Sequence, residues 1–248
     1  MIAIFTSFFE FRTVLVIFFH GNKLAFFFGL ILICIIFLPS FFLPKKITLY
    51  GGRLMGFWCK ICLNIILSTK IIIKGEENII LDKKFFIACS HQSMFETFFL
   101  QTIFNSPVFI LKKELLKIPI FGWYLKKIGS ISIDRNKINK ENLNFKDQIT
   151  NVVKSTNRPI IIFPQATRSE PLDRTPFKKG AARIYEDLNI ICQPVAINSG
   201  NVWPKYGSLK SNKKIIVSIL KSIEPGKDKI EFLKSLENSI YSELDKLN

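Results

Sequence analysis

Histidine is scarce in this chain: His20 and His91 are the only two in 248 residues. His20 lies in an apolar N-terminal region, so histidine-based chemistry has to use His91. Cysteine is also sparse and odd in number: Cys34, Cys59, Cys62, Cys89 and Cys192. An odd set, partly inside apolar runs, gives no sign of a disulfide framework and points to a reducing compartment. Cys59-Lys60-Ile61-Cys62 is a lone CxxC without a second pair, which reads as helix packing rather than a metal site. No Ser or Cys nucleophile elbow is present, which counts against a thioesterase. Acidic residues are outnumbered, 19 against 35 Lys and Arg, giving a formal net charge of +16. That excess points to an anionic partner, whether membrane surface, nucleic acid or phosphorylated substrate. Part of it reflects a general enrichment in Lys, Ile, Asn and Phe. Aromatics gather in apolar runs instead of interleaving with Lys and Arg, which argues against nucleic acid. There is no internal repeat and no low-complexity linker.

Apolar residues are abundant. They make up 48% of the chain, with 25 Phe, ample for a large core in one domain of ordinary size. Leu24 to Leu43 runs without a charge. As one helix of that length it would span about 30 Å, enough to cross a hydrocarbon core. Gly29, Pro39 and the richness in Phe leave a second arrangement, a bent helical pair lying in one leaflet. The run is too long for a cleavable signal and no small-residue cleavage site follows it. Lys45 and Lys46 come directly after, and positive-inside reasoning places the rest of the chain on the cytoplasmic face of the membrane. This divides the chain into a hydrophobic helical membrane anchor, residues 1–67, and an α/β domain, residues 68–248.

Within the second part, strands and helices alternate. Strands are expected at 69–74, 85–89, 108–111, 131–133, 160–163, 194–198 and 215–220. Helices are expected at 54–67, 94–104, 115–127 (interrupted by Pro119 and Gly122), 140–154, 177–188 and from Asp228 onward. The last carries Ile230, Leu233, Leu236, Ile240, Leu244 and Leu247 at helical spacing. Such alternation predicts an α/β fold with a mostly parallel central sheet flanked by helices, preceded by the N-terminal hydrophobic membrane-associated segment.

His91 sits in Ser90-His91-Gln92-Ser93-Met94-Phe95-Glu96, between a buried strand and an apolar helix. Ligands of open α/β sheets bind at such C-terminal strand ends. The positive end of the helix dipole favours the neutral, proton-accepting imidazole. Glu96 is close enough in sequence to orient that imidazole and to stabilise its protonated form. Two residues this far apart do not share a helical face, so they meet only if His91 is in the loop. Ser93-x-x-Glu96 is equally a capping box, in which Glu96 binds the Ser93 N–H. A second constellation, Phe163-Pro164-Gln165-Ala166-Thr167-Arg168-Ser169, also follows a strand. Arg168 offers a planar fork for a phosphate, and Thr167 and Ser169 add hydroxyls. Lys112, Lys113 and Arg135 follow strand ends as well, so these cations can converge on one rim near His91.

These residues resemble a known family. His followed by an acidic residue, then Phe-Pro-x-x-Thr-Arg about seventy residues on, is similar to the glycerolipid acyltransferases, above all the bacterial 1-acyl-glycerol-3-phosphate acyltransferases. Lys112-Lys113-Glu114-Leu115-Leu116, Pro119 to Trp123, Gly129 and Ile133-Asp134-Arg135 resemble a second family block. Pro176 to Ala181 and Pro194 to Asn198 resemble later ones, all in order across roughly residues 70–200. The resemblance implies transfer of a fatty acyl group from an acyl carrier protein or coenzyme A thioester. The acceptor it implies is the sn-2 hydroxyl of lysophosphatidic acid, a membrane lipid, and the product phosphatidic acid. It implies catalytic roles for His91, the base, and Glu96, which orients it. It implies substrate-binding roles for Arg168, Thr167, Gln165, Lys112 and Arg135 at the phosphate, with no metal or bound cofactor. Two departures stand out. The family usually has Asp where this chain has Glu96, and Glu-Gly where it has Gln165-Ala166. Ala166 cannot take a positive φ as cheaply as glycine. A lyso-ornithine lipid or another lysolipid is an alternative acceptor. The competing non-enzymatic reading is a membrane-anchored protein that binds anionic lipid.

Overall fold

The computed structural model describes residues 26–133 and 145–247. The apolar stretches before residue 26, His20, Asp134-Arg135 and the expected helix onset at Lys140 lie outside the described residues. Seven strands form one sheet: β1 (Lys70–Lys74), β2 (Phe85–Cys89), β3 (Val108–Lys112), β4 (Ile131–Ile133), β5 (Ile160–Ile162), β6 (Ile191–Ile197) and β7 (Lys214–Ile219). Their order is β1-β7-β6-β2-β5-β3-β4. Neighbours from β6 through β4 run parallel. β7 lies antiparallel to β6, and β1 follows β7 in parallel. The parallel strands are continuous apolar runs, such as Ile160-Ile161-Ile162, because helices cover both of their faces. β6 begins at Ile191, ahead of the expected start at Pro194, so the proline is tolerated within the strand.

The apolar run from Leu24 does not continue as one helix. Helix α1 (26–36) stops, and a 3₁₀ turn, Leu38–Phe42, follows with Pro39 in its first turn. Lys127 donates its ammonium to the carbonyls of Ser40, Phe41 and Leu43, which satisfies the backbone at the break. Helix α2 (Lys45–Leu67) then returns alongside α1, and Trp58 Nε1 donates to the Phe26 carbonyl at 3.1 Å. No helix among the described residues is long and apolar enough to cross a membrane. α2 starts earlier than its glycines suggest. A Cβ at Gly51 would lie 2.9 Å from the Phe37 ring, and one at Gly56 2.5 Å from the Phe98 carbonyl oxygen, so both glycines permit close packing.

Five further helices complete the described fold: α3 (Phe95–Ile103), α4 (Phe121–Lys127), α5 (Phe145–Ser155), α6 (Gly180–Leu188) and α7 (Lys229–Leu247). One sheet face packs on α1, α2 and α3 through Phe26, Met55, Leu63, Phe95 and Leu100. The other packs on α5, α6 and α7 through Ile149, Tyr185, Phe232, Leu236 and Ile240. The buried stripe of α7 runs from Phe232; Ile230, expected on it, is 80% exposed in the first turn. Asp228 caps that helix by accepting the Ile230 and Glu231 N–H groups.

Candidate active site

The C-terminal ends of β6, β2, β5 and β3 lie side by side, and the loops leaving them build the site. His91 follows β2 and Arg168 follows β5. The two loops are tied through His91 itself. Its N–H donates to Gln165 Oε1 at 3.1 Å, and its carbonyl accepts the Ser169 N–H at 2.8 Å. The imidazole stacks on the Phe163 ring, centroids 4.1 Å apart and 18° from parallel. His91 is therefore in the loop, as its meeting with Glu96 requires.

Glu96, in the first turn of α3, is fully buried. Its Oε2 lies 3.8 Å from His91 Nδ1, an electrostatic contact beyond hydrogen-bond length. Glu96 also makes the capping box. Its carboxylate accepts the Ser93 N–H at 3.1 Å and the Gln92 N–H at 2.9 Å. α3 begins at Phe95, and Ser93 Oγ accepts the Phe95 N–H at 2.8 Å, so the cap forms one residue ahead of the helix's flanking Met94. Capping and facing His91 are thus combined in one side chain. Burial is the largest influence on Glu96 and pushes its pKa up. The interaction with His91, the Ser199 hydroxyl and the Gln92 N–H together outweigh burial and hold it below the ordinary glutamate value. Burial first, then the neighbouring Glu96 charge, pushes the Cys89 thiol up, which keeps that cysteine a neutral core residue.

A cavity of about 600 Å³ opens beside these loops. His91, Lys112, Thr167, Arg168 and Lys205 contribute to its polar lining, and among the described residues no Asp or Glu lines it. Much of the remaining wall is apolar, with Ile33, Phe37, Met55, Phe98, Leu125 and Ile128 drawn from the helical side of the sheet. Tyr124, also on the wall, donates its hydroxyl to the Cys34 carbonyl at 2.6 Å. Burial, with a smaller contribution from Cys34, pushes its pKa up to about 12. The structure thus brings His91, Glu96, Lys112, Thr167 and Arg168 together. Gln165 is buried behind the rim, where it holds the His91 backbone rather than the cavity wall. Arg135 lies outside the described residues. Sequence reasoning missed Lys205, which sits in an irregular stretch with no motif to mark it. It also missed Phe163 as the platform for the imidazole.

Ala166, which stands where the family's glycine stands, takes φ +62° and donates its N–H to the Phe163 carbonyl at 2.9 Å. The turn takes a left-handed φ although its residue carries a Cβ.

A family model described as Acyltransferase matches residues 70–198, more than half of the chain. A 1-acyl-sn-glycerol-3-phosphate acyltransferase of Pseudomonas aeruginosa is 31% identical over 156 residues, 62% of this chain and 60% of that protein. The chain therefore aligns with less than two thirds of that relative's length. One of Saccharomyces cerevisiae is 31% identical over 214 residues, 81% of this chain and 70% of that protein. The crystal structure of the 1-acyl-sn-glycerophosphate (LPA) acyltransferase of Thermotoga maritima shares the fold, with a TM-score of 0.73 at 22% identity over 93% of this chain and 98% of that one. This chain belongs to the acyltransferase family.

Proposed function

We propose that the protein moves a fatty acyl group from an acyl carrier protein or coenzyme A thioester to the sn-2 hydroxyl of 1-acyl-glycerol-3-phosphate, giving phosphatidic acid. The carrying observation is one cavity that joins an imidazole backed by a buried carboxylate, three cations with no acid among the described residues of its wall, and apolar lining. His91 takes the hydroxyl proton as the oxygen attacks the thioester carbonyl carbon. The new C–O bond forms, the C–S bond breaks, and His91 returns the proton to the departing sulfur. Glu96 stabilises the imidazolium between those events. The Arg168 fork takes the acceptor phosphate together with Lys112, Lys205, Thr167 and Arg135. The step uses no metal and no resident cofactor. Named relatives acting on 1-acyl-sn-glycerol-3-phosphate support the choice of acceptor.

The membrane placement belongs to the same proposal. α1 and α2 turn Phe28, Ile31 and Ile65 outward at 57–74% exposure, and Phe42 between them is 94% exposed. A helical pair with that outer face lies in one leaflet, with the sheet on the cytoplasmic side of the inner membrane. Ile33, Phe37 and Met55 then open the cavity toward the lipid that supplies the acceptor.

The test is acyl transfer by the full chain in membranes, with acyl carrier protein and coenzyme A thioesters offered in turn. Wild type should form phosphatidic acid, and His91→Ala should lower kcat by about 10³-fold. Arg168→Ala should act mainly on the acceptor, raising its KM by about 10-fold or more. Acylation of a lyso-ornithine lipid in place of lysophosphatidic acid would overturn the acceptor. Full activity in His91→Ala would overturn the mechanism.

A further inference from the structure

The geometry points to Ser199 as a positioning residue for Glu96, an inference that rests on the base–carboxylate reading above. Ser199 opens the 3₁₀ turn two residues after β6, is fully buried, and donates its hydroxyl to Glu96 Oε1 at 2.5 Å. That length is in the range of a charge-assisted O–H···O⁻ bond. The other donors to the carboxylate are the Gln92 N–H and the Ser93 N–H and hydroxyl. Those two residues belong to the His91 loop and move with it. Ser199 comes from the other side, off a strand buried along its whole length. Its loop is fastened to the same motif twice more. Gln92 Oε1 accepts the Gly200 N–H at 3.0 Å, and Ser90 Oγ accepts the Ile197 N–H at 2.8 Å.

The division of labour between the carboxylate oxygens gives Ser199 its role. Oε1 accepts from Ser199, Gln92 and Ser93, while Oε2 accepts the Ser93 N–H and hydroxyl, each at 3.2 Å, and faces His91 Nδ1. Ser93 holds Oε2 from within the loop; holding Oε1 from the β6 side as well fixes the carboxylate with Oε2 toward the imidazole and resists its rotation away when His91 takes a proton. The glutamate matters here. Its extra methylene, relative to the family's usual aspartate, gives the carboxylate the reach to span from the capping amides to a hydroxyl in the turn after β6. Glu96 and Ser199 act as one unit.

The test compares kcat and acceptor KM of the full chain, with thermal unfolding as a check, for wild type, S199A, S199T, E96Q and E96Q/S199A. S199A should lower kcat about 10-fold while acceptor KM moves less than about 2-fold. S199T, which keeps the hydroxyl, should restore kcat to within about 3-fold of wild type. In the E96Q background, S199A should cause no further loss, since residues acting through one another are not additive. The double variant keeps the test decisive even if S199T is too large for its buried site. A wild-type kcat in S199A, or the same loss in both backgrounds, would overturn the positioning role and leave the His91 reading intact. Undiminished activity in E96Q would instead remove the carboxylate from the mechanism, and this inference with it.

Discussion

The two layers that cover the sheet are finished differently. Both bury large apolar side chains against it, Phe95 and Leu100 on one face, Phe232 and Tyr185 on the other. On the outer side of α5, α6 and α7, charges pair: Lys146 with Asp187 at 3.0 Å, Lys246 with Glu243 at 3.3 Å, and Lys229 with Glu186. Residues 26–67 contain no Asp or Glu at all, and α1 and α2 present Phe, Ile and Leu outward. The same sheet is therefore covered once by a layer with paired charges on its outer side and once by a layer whose outer face exposes large apolar side chains. The lesson is that burial toward the core does not distinguish the layers; only their outer faces do.

The largest test of this contrast concerns what the layers share. Phe232 is fully buried and stacks on Tyr185, centroids 3.8 Å apart. Phe232→Ala should cost about 3–5 kcal/mol in unfolding experiments on the detergent-solubilised protein. A loss under about 1 kcal/mol would show this layer to be loosely packed and break the premise of equal cores.

Next comes what they do not share. Phe42 and Ile65 are 94% and 74% exposed, so changing both to Asp should alter stability by no more than about 0.5 kcal/mol each. Vesicle binding should nevertheless fall at least about 10-fold, because each side chain forfeits about 1.5–3 kcal/mol of burial in lipid. Ile230, 80% exposed on α7, is the control: Ile230→Asp should leave vesicle binding unchanged. Equal effects from both layers would dissolve the contrast.

A smaller effect belongs to the seam between the layers, where Glu96 lies. Its folded pKa is below the ordinary value of 4.5, because His91, Ser199 and Gln92 outweigh the upward push of burial. As pH falls below 4.5 the unfolded chain takes the proton first. Stability held above that pH is then lost as pH falls through the folded value. Thermal unfolding followed from about pH 6 to 3 should show a shallower acid loss for Glu96→Gln than for wild type. Parallel curves would deny Glu96 any part in acid stability.

How much of this was legible follows from which forces act locally. The parallel strands were legible because burial on both faces writes them as runs such as Phe85-Phe86-Ile87-Ala88-Cys89. The rim was legible in the same way: once a strand is placed, the next residues are at its end, which put His91, Lys112 and Arg168 together. The start of α2 was not, because Gly51-Gly52 looks like a breaker until Phe37 and Gln101 are seen against it. Ser199 and Lys205 were also hidden. Each reaches the site from beyond β6, and no local spacing records a contact between residues about a hundred positions apart.

Ala166 carries the smallest expected effect and says to which layer the seam belongs. A left-handed φ strains a non-glycine residue by about 1–2 kcal/mol. Glycine removes that strain but gives back about 0.5–1 kcal/mol through the freer unfolded chain. Ala166→Gly should therefore stabilise by about 0.5–1 kcal/mol, raising Tm by about 1–4 °C at this chain length. The Ala166 side also lines the cavity beside Phe163 and Met94. If Tm falls instead, the methyl's packing in that wall outweighs the strain. The turn would then be held by the apolar layer, not by its hydrogen bond to Phe163, and the boundary between the layers would run through the catalytic loop itself.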